Sequence, residues 1–263
     1  LERKVLRTPL DPEVSFSDDP LRMLRAARFM AGYQLVPGID LIAAVELLRD
    51  RISIVSKERV IEELKKLLKV ESPTKGLLFL EQTGLLGLVI KGYNGLVSVP
   101  ELAGNDSSDE LALSWATLLY PIVTSGELAR VLLVDMRASN NLAKKVGRVI
   151  EATHQISSLD EATEPEVRRI LFFWGDEFPE SLAVLKAFKK IPSQKLLSLF
   201  THIIESEGNR GPQSPLDGNE IVEIVGNGPI VGKAINYLNT HIFQVGLISR
   251  EEAIKALEDW SSS

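Results

Sequence analysis

The chain has 263 residues, 44% of them hydrophobic and 25% charged, enough for a real core and for two or three modest domains or one elongated one. It contains no cysteine, which excludes disulfides and thiolate metal sites and suits a reducing, cytoplasmic setting. The net charge of −6 argues against wholesale polyanion binding, yet residues 1–70 hold 13 Lys+Arg against 11 Asp+Glu while the rest hold 17 against 25. A local basic face therefore stays open to RNA, beside the plainer reading of a solvated acidic surface. No apolar run approaches the roughly 20 residues of a bilayer span, so no membrane partner is expected. LERKVLRTPL lacks an apolar signal region, and Leu1 in first position reads as the edge of something longer.

In chain order, RKVLRTP (3–9) is the best strand candidate. FSDDPLRMLRAARF (16–29) opens a helix running to about residue 33, with apolar residues at 21, 24 and 29. IDLIAAVELLR (39–49) repeats apolar positions at helical spacing. KERVIEELKKLLK (57–69) sets Val60, Leu64, Leu67 and Leu68 on one face, with Ser56 placed to cap it. GLLGLVIKG (84–92) is ambiguous between strand and helix. Helical patterns continue at 75–82, 109–120, 126–135, 139–156, 164–174 and 180–189. After the polar break SEGNRGPQSP, three shorter helices are expected near 217–225, 229–244 and 250–259. Pro229 suits a first turn, and Ser249 with Glu252 has capping-box spacing. The composition is that of an all-α protein of many short helices with breaks near 71–74 and 205–216. No fixed-period repeat and no low-complexity tract appears.

The chemistry that is missing narrows the field. His154, His202 and His241 are far apart and none adjoins an aspartate. GNGPIVGKA (226–234) fails the P-loop spacing, because Asn227 stands where a glycine is required and Ala234 where Ser or Thr is required. A turn with tight helix packing is the better reading there. No Gly-x-Ser-x-Gly elbow and no Asp-x-Asp pair occurs.

Asp18, Asp19 and Arg22 stand apart. At spacings of three and four, all three fit one side of a helix's first turn, where acids also suit the dipole. The plain reading is capping plus a surface ion pair worth under about 1 kcal/mol. The alternative uses hydrogen-bond direction: a carboxylate only accepts and a guanidinium only donates. Side by side they match an edge offering a donor beside an acceptor. Cytosine and adenine present that edge; uracil and guanine present the reverse order.

RTPLDPEVSFSDDPLRMLRAARF, ISIVSKERVIEELKKLL and PTKGLLFLEQTGLL, with the segment from Ser214 to Leu257, resemble the class II tRNA nucleotidyltransferase and bacterial poly(A) polymerase family. That resemblance implies an elongated array of short helices, with 1–15 the remnant strand of an α/β head, 16–72 the neck, 73–205 the body and 206–263 the tail. It places the family's Glu-Asp-x-x-Arg base-reading motif on Asp18, Asp19 and Arg22, with Asp18 one methylene shorter than the usual Glu. Arg25 and Arg28 become candidates for contact with triphosphate, RNA phosphate or neighbouring acids, a structural role being the alternative for each. Ser56, Glu58 and Arg59 match the motif that braces the neck. Tyr120-Pro121 stands where some members carry a His-Asp pair, so no second hydrolase activity is inferred. The implied function is addition of C and A to tRNA 3′ ends, with ATP and CTP as substrates and tRNA held by its acceptor and TΨC region. Mg2+ would be held by a catalytic head absent from this sequence, or by a separate polypeptide, so the chain alone is expected to be inactive. A poly(A) polymerase of the same family and a non-catalytic helical RNA-binding or scaffold protein are the alternatives.

Overall fold

The computed structural model describes residues 4–93, 108–159 and 161–262. The first three residues of the expected head remnant and residues 94–107 of the expected body lie outside them. The chain divides into two compact units, one comprising residues 1–154 and 180–190, the other 155–179 and 191–263.

In the first unit, helices α1 (Pro12–Asp18), α2 (Leu21–Tyr33), α3 (Ile39–Leu48), α4 (Lys57–Leu68), α5 (Thr74–Gln82), α6 (Leu85–Val89), α7 (Ser108–Leu119) and α8 (Gly126–Asp135) follow one another. They lead into α9 (Asn140–Ser157), which crosses the unit boundary. A two-residue strand, β1 (Val5–Leu6), lies parallel to β2 (Val36–Pro37), with Val5 opposite Val36. β1 falls inside the predicted RKVLRTP strand; β2 carries no sequence signal, being too short to show alternation. The ambiguous 84–92 segment forms α6, entered through Gly84 at φ 76°, a left-handed position that glycine occupies without steric cost.

The centre of this unit is α2 packed on α4 and α5. α2 contributes the buried Met23, Leu24, Ala27 and Met30, α4 the buried Ile61, Leu64, Leu67 and Leu68, and α5 the buried Leu77 and Leu80. Gly76 lets α5 approach α2 closely: a Cβ there would stand 2.5 Å from the Ala27 carbonyl oxygen. The same device joins α8 and α9. A Cβ on Gly147 would stand 2.7 Å from the Gly126 oxygen, and one on Gly126 would stand 2.0 Å from the Gly147 oxygen. Gly147→Ala should therefore destabilise this unit by about 1–3 kcal/mol through overpacking. Urea unfolding would read it as a lower midpoint at constant slope; an unchanged midpoint would mean the helices part freely.

The second unit holds α10 (Glu164–Trp174), α12 (Gln194–Glu207), α13 (Gly218–Val225), α14 (Pro229–Val245) and α15 (Arg250–Ser261), while α11 (Phe178–Ala187) carries the chain across the boundary. α12 has no counterpart among the expected helices. Leu216, Ile221, Ala234, Leu238, Ile242, Ala253 and Leu257 form the core of the last three helices. Gly226 and Gly228, at φ 81° and 108°, make the turn expected at 226–234, but a Cβ on Gly232 would meet open space, so tight packing there is not found.

Three helices of this unit begin with reciprocal caps. Glu166, Glu220 and Glu252 accept the backbone N–H of Thr163, Asp217 and Ser249 at 2.8, 2.8 and 2.7 Å. These backbone hydrogen bonds are the main reason that all three carboxyls titrate below their ordinary 4.5. A depressed folded-state pKa adds stability that is complete above the unfolded value and fades as pH falls through the folded one. Fraying of α10, α13 and α15, followed by amide exchange, should accordingly set in only below about pH 4.5; onset near neutrality would contradict the caps' role.

Candidate nucleotide-recognition site

Residues 11–22 form two helices, not the single first turn the spacing suggests. Asp18 ends α1, Asp19 is its extended C-cap at φ −138°, and Arg22 is the second residue of α2. Pro20 is the cause. It has no N–H to continue the ladder, and its ring drives the preceding residue out of the helical region. The break frees Asp19 to turn forward, and its Oδ1 accepts the Leu21 N–H at 3.3 Å, satisfying one orphan donor of α2.

Asp19 and Arg22 are not paired with each other. Arg59 donates from Nη2 to both Asp19 oxygens, at 3.2 and 3.1 Å. Arg22 pairs through Nη2 with Asp18 at 3.2 Å, and its Nη1 donates to the Ser15 carbonyl at 3.3 Å and the Ser15 hydroxyl at 3.2 Å. A carboxylate has about four acceptor positions and a guanidinium five N–H donors. Asp19 thus keeps an open position on Oδ2, and Arg22 keeps Nε–H and one Nη2–H. Both groups can engage a further partner without breaking the pairs that hold them. Ser15 is buried, so the anchor of Arg22 is rigid, whereas Asp18 is 70% exposed.

Arg22 and Arg25 line a pocket of about 390 Å³ walled by Leu6, Phe16, Phe29 and Leu41; Asp18 and Asp19 are not among its lining residues. Arg25 is exposed and carries its charge with no ion-pair partner among the described residues. Arg28 is used otherwise. Its Nε donates to the buried carboxylate of Glu63, tying α2 to α4, and its guanidinium lies 4.4 Å above the Phe29 ring. Ser56 occupies the N-cap of α4 at φ −62° and ψ 144°, but its side chain makes no capping hydrogen bond. Glu58 meets Arg137 at 3.4 Å, both well exposed. The neighbours Glu58 and Arg59 therefore serve separate partners.

Sequence reasoning missed Ser15 and Glu63. Ser15 lies seven residues before Arg22, a separation that only the helix break converts into contact. Glu63 does carry a signal: it sits on the apolar face of α4, between Val60 and Leu67. Among the described residues no group of three or more His, Asp or Glu could hold a metal ion, and no helix is long and apolar enough to cross a membrane.

A family model described as "Probable RNA and SrmB-binding site of polymerase A" matches residues 39–95. The A-adding tRNA nucleotidyltransferase of Deinococcus radiodurans is 25% identical over 90% of this chain and 67% of its own length. The CCA-adding enzyme of Pediococcus pentosaceus is 24% identical over 90% of this chain and 59% of its own. The fold matches the Bacillus stearothermophilus CCA-adding enzyme, solved in complex with CTP, with a TM-score of 0.70 at 22% identity, over 92% of this chain and 62% of that one. The chain thus spans about three fifths to two thirds of the proteins it resembles. Along nine tenths of its sequence the chain is similar to tRNA nucleotidyltransferases, it shares their helical fold, and an RNA-binding model of polymerase A matches residues 39–95.

Proposed function

We propose that this chain is the base-selecting and RNA-gripping part of a nucleotidyltransferase that adds C and A to tRNA 3′ ends. The observation that carries the reading is the state of Arg22 and Asp19. Each is fixed by neighbours, yet each retains unused hydrogen-bonding capacity of the sign needed to meet an amino group beside a ring nitrogen. The amino group of cytosine or adenine would donate to Asp19, and the ring nitrogen would accept from Arg22. Uracil and guanine would set donor against donor and acceptor against acceptor.

The division into head remnant 1–15, neck 16–72, body 73–205 and tail 206–263 belongs to the same proposal, with tRNA gripped through its acceptor and TΨC region. On this reading, the carboxylates that activate the primer come from a head domain, either joined to this chain or on a separate polypeptide. Exposed Val5 and Val36 on the open-edged strand pair, with exposed Ile39 just after it, suit burial by such a domain. ATP and CTP enter as substrates of the assembled enzyme. The description of the matched model as part of polymerase A supports a second reading, extension of RNA ends with ATP alone. The assembled protein, given tRNA lacking its CCA end and, separately, oligo(A), decides between them. Incorporation of C and then A on tRNA supports the proposal, whereas A-only extension of both substrates supports the second reading.

A further inference from the structure

Asp19 and Arg22 carry opposite charges at a separation of three residues, a spacing at which side chains on a helix commonly meet. In this chain they hold other partners. Asp19 is taken by Arg59, whose Nη2 stands 3.2 and 3.1 Å from its two oxygens. Arg22 is taken by Asp18 at 3.2 Å and by the carbonyl and hydroxyl of buried Ser15 at 3.3 and 3.2 Å. Were Asp19 and Arg22 to pair with each other, the carboxylate would fill its open acceptor position with the guanidinium's open donors, and no base edge would be met. Of the groups that hold them apart, Ser15 and Asp18 belong to α1, whereas Arg59 comes from the first turn of α4, forty residues beyond Asp19.

We infer that Arg59 is a positioning residue that keeps the base reader open, by holding Asp19 off Arg22. This role rests on the proposed reading of Asp19 and Arg22 as the base selectors, and it gives Arg59 a task beyond bracing the neck. A guanidinium stays charged throughout the working pH range, so its hold on a carboxylate does not lapse. The geometry also singles out one acceptor atom. Arg59 meets both oxygens of Asp19, and the Leu21 N–H takes the second position on Oδ1 at 3.3 Å. Oδ2 is then the oxygen left with an open position. Without Arg59, Asp19 would turn to the nearest cation with unused donors. Arg22 has Nε–H and one Nη2–H to offer, so that collapse requires no break in its contacts with Ser15 and Asp18. The collapsed pair and a nucleotide base compete for the same groups. A reader closed on itself in about nine molecules of ten would bind its base about tenfold more weakly.

Two measurements test this role, one on the chain itself and one on the assembled enzyme. Crystal structures of the parent chain and of Arg59→Met, which keeps the stem and removes the donors, compare the separation of Asp19 and Arg22. In the variant the two should close to the roughly 4 Å of an ion pair. An Asp19 that stays in place or turns to solvent would overturn the role. In the assembled enzyme, Arg59→Met should raise KM for CTP and ATP by roughly 5- to 50-fold, with kcat and KM for tRNA within about twofold of the parent. The control Lys57→Met removes an equal charge from the same helical turn and breaks the exposed Lys57–Asp135 pair. It should leave nucleotide KM within about twofold. Arg59→Lys, which keeps a cation beside Asp19, should recover most of the affinity. Arg59→Met added to Asp19→Asn should cost little beyond Asp19→Asn alone, because the amide offers Arg22 no charge to capture. Equal rises in KM for nucleotide and tRNA, or losses that simply add in the double variant, would mean that Arg59 only supports the fold, and would overturn the role. Failure of the wider reading looks different. An assembled protein that transfers neither C nor A refutes the enzyme reading alone, because the crystal comparison still decides whether Arg59 holds the pair apart.

Discussion

Arg22→Ala, placed in the assembled enzyme, is expected to abolish selection of CTP and ATP over UTP and GTP while leaving tRNA binding nearly intact. The physical reason is the cost of unmatched polar groups. In the proposed site, a uracil or guanine edge would set its ring N–H against the guanidinium N–H and its carbonyl against the Asp19 carboxylate. Each mismatched buried group costs about 1–3 kcal/mol, or roughly 5- to 150-fold in discrimination. Removing the guanidinium removes both the reward for the correct edge and part of the penalty for the wrong one. Arg22→Lys should fail similarly, because an ammonium lacks the fork that contacts Ser15, Asp18 and a base together. Ser15→Ala should fall between parent and Arg22→Ala, since it deletes one of the two Nη1 hydrogen bonds and keeps the carbonyl. Asp18→Glu, which restores the longer side chain usual in the family, should preserve selection. Competition assays with mixed nucleotides measure all four. Retained selectivity in Arg22→Ala would remove Arg22 from the base-reading role, whatever else the enzyme does.

The largest loss of stability is expected from Arg168→Ala in the second unit. The Arg168 side chain is 8% exposed and that of Glu207 9%. Arg168 donates from Nε at 3.0 and 2.9 Å and from Nη2 at 2.8 Å to Glu207, from Nη2 to Glu164 at 2.8 Å, and from Nη1 to the Phe243 carbonyl at 3.4 Å. One guanidinium thus ties α10 to α12 and to the last turn of α14. Gly246, at φ 90°, closes over the pair: a Cβ there would stand 3.0 Å from Glu207 Oε1. Truncating Arg168 would leave the Glu207 carboxylate buried without its cation and the end of α14 without a donor. Loss of one partner from a buried pair costs about 3–5 kcal/mol, whereas replacing both by apolar groups of similar volume is often neutral. Denaturant unfolding should therefore show a large fall for Arg168→Ala and a much smaller one for Arg168→Met combined with Glu207→Leu. Equal falls would mean that the side chains matter for their volume and not for their charge.

Much of this is legible in the sequence. Apolar spacing of three and four marks most of the helices, because a helix must bury one face and that requirement is written in consecutive residues. Ser249 with Glu252 announces a cap for the same reason: the atoms that satisfy one another lie within one turn. α12 escapes notice although Leu196, Phe200 and Ile203 repeat at helical spacing, because the polar stretch that follows blurs its end. α1 escapes notice because Asp11 and Pro12, good start signals, precede only seven helical residues, too few for periodicity to register.

What the sequence by itself determined is the all-helical character, the likeness to tRNA nucleotidyltransferases and the identity of the charged residues at 18–22, all carried by short-range pattern. The tertiary structure alone decided how those charges are shared. Pro20 splits the segment, Ser15 comes under Arg22, and Arg59, forty residues away, takes Asp19. Likewise the Arg168 cluster gathers residues that are distant along the chain. Charge and hydrogen-bonding groups find partners by proximity in space, and linear order constrains that proximity only within a helical turn or two.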